Sequence, residues 1–531
     1  MKSHSFQTSR WPLACAFLCA MGALFASASP HAAAGEEEAT FNIGVQSLNE
    51  ALIEFGKQTG LSISVDSKTL SGKRSSAVNG SMSLDRAIDK MLEGTGLEHS
   101  ISGNMLTLRE AASGLINLRS ARLVGDLASG LTDSDAFSVV EEDVIANQQG
   151  STAVDVFNEM AGVVGINEGG RQTFRINIRG LEGSGRVAID VDGAQMNQID
   201  HNHGFATNRV LIEPSLIKQV SVVRGPASNK RGGGALAGSV SFTTINPADL
   251  FRGGASVGGF FKAGYEENGN GFNSSLGLAR RASEKWSFLG AFTYRSYESY
   301  EDAEGVEVIA SGSRSNSTLL KAVFDASEDQ SIKLAYRGEE HNYNGSGAFA
   351  RGQLRSSNIQ DETVDTDTFS IHYTHEGSGQ DWLNLNANAY VTDNLRIEQD
   401  LDSDSESMDD LRTKGFNVVN SASIFGDAFG SELTYGFDYF KDDLAASSSS
   451  PAGERSQYGV FIDGYHKIND SLVVFEGLRF DDFDMSSADG DDLSGDNLSG
   501  RIGFELSPFN SSESLENLTF FANYGTGFRT P

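Results

Sequence analysis

A chain of 531 residues has room for several domains. Its 72 acidic against 41 basic residues give a formal charge of −31, the wrong sign for gripping a phosphate backbone, and nucleic acid is excluded as a partner. Beyond residue 34 no run of about 20 apolar residues occurs, while 59 Gly, only 8 Pro and much Ser and Asn among aromatics suit long antiparallel strands. These strands favour a transmembrane barrel over the alternative, a secreted array of β-sandwiches.

Residues 1–34 read as a secretory signal: Lys2 and Arg10 precede an apolar run from Leu13 to Phe25, and Ala32-Ala33-Ala34 stands before Gly35. Both cysteines, Cys15 and Cys19, fall inside that run, so the exported chain is expected to hold no disulfide or thiolate-bound metal.

Over 41–110 the chain matches itself at an offset of 36 residues, Leu48, Ala51, Leu52, Thr59, Gly60 and Leu61 recurring as Leu84, Ala87, Ile88, Thr95, Gly96 and Leu97. Leu48, Ala51, Leu52 and Phe55 at helical spacing, then Gly60 and alternating Leu61, Ile63 and Val65, predict a helix followed by a strand. The second copy repeats this, with Ser83 as cap, Leu84 to Leu92 as helix and a strand through His99 and Ile101, giving a small pair of βαβ units. Phe41-Asn42-Ile43, Gln58-Thr59-Gly60-Leu61 and Gly94-Thr95-Gly96-Leu97 resemble the secretin and TonB N-terminal domain. The resemblance implies a periplasmic module that reports ligand occupancy to an anti-sigma regulator of the inner membrane.

Residues 111–132 form a linker without helical or strand-length pattern. By position alone, a segment within 115–125 is expected to act as the TonB box, pairing its backbone with an edge strand of the TonB complex.

Residues 133–247 are read as a plug domain. Phe137 to Val140 predicts a strand, and Val154 to Met160 a helix. Ile178-Arg179-Gly180-Leu181 and Arg186 to Gly193 predict hairpin strands, with Asp192-Gly193 as a turn pair. Ile212 to Ala227, containing Arg224-Gly225-Pro226, then Gly232 to Gly238 and Val240-Ser241-Phe242, resemble the plug of TonB-dependent outer-membrane receptors. Arg179, Gly180, Arg224, Gly225, Pro226, Gly234 and Gly238 carry that motif, and Gly225, Gly234 and Gly238 are read as structural because a domain folded inside a barrel must turn tightly. Arg231, Gly233 and Ala237 depart from the usual pattern.

The plug tip falls between Gly193 and Ile212 and contains His201, His203 and Phe205. A neutral imidazole is a good axial ligand for haem iron, and residues two apart in an extended loop share a side, so either histidine could hold iron while Phe205 stacks on a porphyrin. Solvated loop histidines are the plain alternative. Glu213 to Lys218 and Asn246 to Leu250 resemble the haem and haemophore receptor branch, which implies haem as transported ligand, free or on a haemophore. His372 and His375 should point to opposite faces, and His341 and His466 read as strand-end or loop surface.

From 251 to 531 the pattern has period two: Trp286, Phe288, Phe292 and Tyr294 against Ser287, Thr293 and Arg295; Ile332, Leu334 and Tyr336 against Lys333 and Arg337. Ala282 to Lys285 is a short turn, and Asp400 to Asp410 and Asp484 to Asp496 read as acidic external loops. The last strand is expected to run out through Tyr524 to Pro531, where Phe528, Arg529 and Pro531 resemble the Phe-Arg-Ala-Pro box of haem receptors with Thr530 for Ala.

About 12 strands fit where a plugged barrel needs about 22, so the sequence is read as partial, its barrel incomplete. The fold class is thus mainly β: a βαβ-repeat signalling domain, an α/β plug and part of an antiparallel barrel in the outer membrane of a Gram-negative bacterium. The function expected is haem uptake with transcriptional signalling, the alternatives being a signalling receptor for ferric siderophores and a non-transporting signalling fragment. No nucleophile with base and orienter, and no phosphate-binding loop, points to an enzyme.

Overall fold

In the N-terminal repeat the apolar stripes dictate two helices, and both form: α1 (Leu48–Thr59) and α2 (Leu84–Leu92). The structure, a computed structural model, describes residues 39–110, 137–197 and 210–530 apart from short internal intervals, the longest being 65–72, 347–358 and 510–517. The signal, the linker with its 115–125 segment and the tip at 198–209 lie outside the described residues. The chain divides into two units, Met1–Arg119 and Ser120–Pro531.

In the first unit α1 and α2 lie among β1 (Ala39–Ile43), β2 (Ser62–Ser64), β3 (Val78–Met82), β4 (Leu97–Ser102) and β5 (Met105–Glu110). The two copies interlock rather than stand as separate βαβ units. Their first strands pair with each other, β1 antiparallel to β3, and β2 joins a second sheet in the order β2-β5-β4. One helix stripe is too narrow to bury itself, so both copies share a core of Phe41, Leu52, Phe55, Ile88 and Met91, with Phe41 and Phe55 stacked at 5.5 Å. Each such fully buried side chain contributes about 1.5–3 kcal/mol. Ser47 Oγ accepts from the Glu50 amide at 3.4 Å and donates to its carboxylate at 2.8 Å, capping α1, and Thr95 Oγ1 donates to the Leu92 carbonyl at 2.6 Å, closing α2.

In the second unit the plug contains β6 (Phe137–Glu141), α3 (Glu142–Asn147), β7 (Val163–Glu168), β8 (Thr173–Ile178), β9 (Leu181–Glu182), β10 (Val187–Val191), β11 (Ala194–Gln195), β12 (Val210–Leu211), β13 (Ile217–Arg224) and β14 (Gly238–Thr244). One sheet runs β11-β10-β14-β13-β6, the other β12-β8-β7 with β9 on β8. They enclose Phe157, Phe174 and Phe242, ring centroids 6.0–6.3 Å apart. The helix expected over Val154 to Met160 is instead a 3-10 turn, Ala153–Phe157. It presses so close to β7 that a Cβ on Gly165 would lie 2.8 Å from Val154 Cγ1, which leaves no space for a longer helix to roll.

The predicted turn at Asp192-Gly193 (φ 49° and 75°) is a two-residue hairpin with a left-handed pair, and Arg179-Gly180 (φ 52° and 88°), read from sequence as part of a hairpin strand, forms a second one. Gly238 has no substitute: at φ 146° a Cβ would meet the Val223 carbonyl oxygen at 2.0 Å.

Thirteen antiparallel strands follow, from β15 (Val257–Glu266) to β27 (Phe520–Gly525), each paired only with its chain neighbours, so the described sheet is open between first and last. Apolar residues such as Phe261, Leu276, Phe292, Leu334, Ile371, Leu478 and Phe504 are exposed outward, whereas Arg295, Lys321, Arg337, Glu339 and Arg479 are buried inward. That is the alternation of a barrel between lipid and lumen. Trp286 packs on Phe288 and Phe324 at 5.8 and 4.8 Å, an aromatic cluster beside the short turn 282–285. No helix among the described residues is long and apolar enough to cross a membrane.

Three expectations are corrected. The acidic stretches are mostly strand: Asn384–Asp400 and Glu406–Phe425 leave only 401–405 between them, and Leu472–Ser487 and Asp492–Leu506 leave 488–491. Strand pairing runs on through the first of these stretches, with Arg396 opposite Asp409 and Gln399 opposite Glu406. His341 is not surface but wholly buried within Gln330–Ser346, because it shares inward parity with Lys333, Arg337 and Glu339. Residues 526–530 leave the strand, which ends at Gly525.

Candidate functional site between plug and wall

The segment that carries His201, His203 and Phe205 lies outside the described residues, but both its roots are fixed. On one side Asn197 Nδ2 donates to both Asp442 oxygens at 3.0 and 3.1 Å. Asp442 is further held by Arg455 Nη2 at 2.6 Å and Thr413 Oγ1 at 2.7 Å. On the other side β12 pairs antiparallel with β8, Val210 opposite Phe174. Asp442 stands near the end of Gly430–Leu444, at the rim that carries the long connections 298–312 and 347–358. Asn197, where the described chain breaks off, is therefore fixed near that rim. His341 belongs to the same half of the wall, its ring stacked on Tyr343 at 5.0 Å.

Below the tip the plug is bolted to the wall by two buried ion pairs. Glu213 receives Arg295 Nε and Nη2, both at 2.7 Å, with side-chain exposures of 2% and 5%. Glu213 Oε1 also accepts from the Ser215 amide at 3.0 Å and its hydroxyl at 2.5 Å, and the Glu213 amide donates to Glu339, itself bonded by Arg337 at 2.7 Å. Burial alone would raise the Glu213 carboxyl, but the Arg295 charge and these hydrogen bonds hold it below the ordinary carboxylate range.

The second bolt joins the Asp192 turn to Lys321 at 3.2 Å. Lys321 Nζ also donates to the Thr244 carbonyl and Asn246 Oδ1, and Asp192 accepts from the Thr244 amide and hydroxyl. Burial pushes the Asp192 carboxyl up, and Lys321, Lys333 and Thr244 together bring it well below its usual value.

Arg224 donates to Ser138 Oγ at 2.6 Å and the Phe137 carbonyl at 3.3 Å, which pins β6 to β13. Its pKa is lowered by burial and by the neighbouring Arg179. Gly225 and Gly234 adopt φ 112° and 109°, conformations that favour glycine. Gly180 completes the Arg179 turn, and Pro226 follows Gly225 where the described chain breaks off.

Sequence reasoning did not foresee the packing of the chain's last described residues. Phe528, Arg529 and Thr530 fold onto plug glycines: a Cβ on Gly185 would meet Arg529 Cγ at 2.6 Å, and one on Gly233 would meet Thr530 Cγ2 at 2.9 Å. Gly233, noted only as a departure from pattern, was the available signal. Pro531 lies outside the described residues.

Comparison with known proteins matches residues 61–111 to the secretin and TonB N-terminus short domain, 132–239 to the TonB-dependent receptor plug domain and 305–531 to the TonB-dependent receptor-like β-barrel. A hemin receptor of Yersinia enterocolitica is 24% identical over 405 residues, 74% of this chain and 56% of its own. The heme transporter BhuA of Brucella ovis is 23% identical over 355 residues, 64% of this chain and 50% of its own. The chain thus spans about half the length of the curated relatives it matches. Among solved structures, the Serratia marcescens hemophore receptor HasR, in complex with its hemophore HasA and heme, superposes with TM-score 0.66 at 20% identity, covering 75% of this chain and 64% of that one. The ferripyoverdine receptor of Pseudomonas aeruginosa gives TM-score 0.59 at 15% identity, covering 93% and 71%.

Proposed function

Since signalling-domain, plug and barrel models match it in order, the chain belongs to the TonB-dependent receptors, and we propose that it serves as an outer-membrane receptor that takes up haem and signals its occupancy. The observation that carries this reading is the pair of roots that flank 198–209: Asn197 bonded to Asp442 near the long-connection rim, and Val210 paired with β8 within the plug. On this reading His201 or His203 ligates the iron of a haem arriving above the plug, and Phe205 stacks on the porphyrin face. The names of the haem-receptor relatives support haem as cargo.

The rest of the cycle follows from the family. The TonB complex engages a strand within 115–125 and supplies the energy, while the N-terminal unit, in the periplasm, meets an anti-sigma regulator. The rim with long connections faces the medium, and the short turns face the periplasm.

Titration of the full-length receptor with ferric haem tests the reading. Imidazole-ligated haem, read by its Soret band, is expected to bind, and one equivalent of it should be lost in His201→Ala or His203→Ala. A receptor that ignores haem but binds a ferric siderophore would be the siderophore type instead.

A further inference from the structure

Between the plug sheet and the barrel wall lies a cavity of about 460 Å³, the size range of sites that enclose a cofactor-sized ligand. It runs from Gln195 and Phe440, two residues from the tether, toward the opposite strand ends. Ser287, Asp325 and Glu376 line it, and they stand at the strand ends joined by short turns such as 282–285.

Its lining is mixed in a specific way. Tyr390 and Phe461 of the wall line it, and His372 and Lys333 lie on neighbouring strands opposite each other in register. Four of its six lining acids are already engaged, the other two being Asp325 and Glu376 at the strand ends. Asp190 accepts from Ser241, Asp192 pairs with Lys321, Asp438 with Arg479 and Asp463 with Arg501. Lys333 forms no salt bridge among the described residues, and His372 has one contact, Ser370 Oγ at 3.2 Å. What remains available is therefore an imidazole, an ammonium and aromatic faces.

From this juxtaposition we infer a second haem site, on the periplasmic side of the plug, in which His372 ligates the iron, Lys333 pairs with a propionate and Tyr390 and Phe461 flank the ring. The inference rests on haem being the cargo, and it gives the cargo a resting place between the tip and the periplasm. Ligation is non-covalent, so departure needs only exchange of the imidazole.

The test is a ferric-haem titration of the full-length receptor in detergent, followed by stoichiometry and absorbance. The wild type is expected to take two haems. His201→Ala with His203→Ala should retain one, with the high-spin spectrum of a ferric haem held by a single imidazole; adding His372→Ala should weaken that residual site at least tenfold and abolish the imidazole signature. Lys333→Gln, which leaves the iron ligand in place, should weaken it while preserving the spectrum. One haem in the wild type, lost on removing the tip histidines, overturns the second site and leaves the cargo reading intact. Residual binding that survives His372→Ala unchanged overturns it too. No haem bound by any form overturns both.

Discussion

Replacing Arg295 by Ala leaves the Glu213 carboxylate buried with its bidentate partner gone. The pair has two hydrogen bonds of 2.7 Å and side-chain exposures of 5% and 2%, so water cannot substitute for the guanidinium without opening the plug from the wall. Breaking one side of such a pair costs about 3–5 kcal/mol. At about 1.4 kcal/mol per tenfold, protected plug amides over β13 should exchange with solvent about two to three and a half powers of ten faster. Hydrogen–deuterium exchange of the full-length receptor reads this directly. The double variant Arg295→Met with Glu213→Gln should recover most of the protection, since no charge is then stranded. Exchange that rises less than tenfold in Arg295→Ala, or a double variant as loose as the single one, would refute the bolt. The pH dependence has a fixed sign. Glu213 and Asp192 have carboxyls depressed in the folded state, so their contribution is complete above the ordinary values of 4.5 and 3.8 and is lost as pH falls through the lower folded values. The loss of plug protection due to these two carboxylates should set in only as the pH falls below those ordinary values.

Gly238→Ala should prevent the β13–β14 pairing, because the new methyl would sit 2.0 Å from the Val223 carbonyl oxygen; the expected result is a receptor that fails to reach the outer membrane folded, read by heat-modifiable migration. Phe55→Ala removes a fully buried ring from the N-terminal core and should destabilise that unit by about 3–5 kcal/mol. Transcriptional response to ligand should then fall while uptake persists. Asp442→Ala releases Asn197 and strands Arg455, a loss of about 1.5–3 kcal/mol that should weaken ligand binding about ten- to a hundredfold, measured by titration, with plug exchange at β13 unchanged.

Local rules made much of this fold legible. The 3.6-residue stripe Leu48, Leu52, Phe55 needs no partner information to predict α1, and Asp192-Gly193 fixes a hairpin turn through backbone conformation alone. What escaped depends on contacts between residues distant in sequence. The interlock of the two repeat copies is decided by which strands share a core, and a repeat shows only that the copies are alike. His341 was readable in principle, since its parity matches Lys333 and Arg337, yet one polar residue in an alternating strand carries no sign of which side is buried. The acidic stretches look like loops by composition, whereas cross-strand pairing such as Arg396 opposite Asp409 makes them strand. At the site, the order Asn197, His201, His203, Val210 marked a tip, but Asp442 as its tether lies 245 residues away and had no local signature.

The central claim, that the tip histidines receive haem for import, is met most directly by uptake of labelled iron into cells expressing the full-length receptor with a working TonB complex. The account predicts TonB-dependent accumulation from haem that disappears when His201 and His203 are both replaced by Ala. Accumulation from a ferric siderophore with none from haem, or haem uptake undiminished in the double variant, would contradict it.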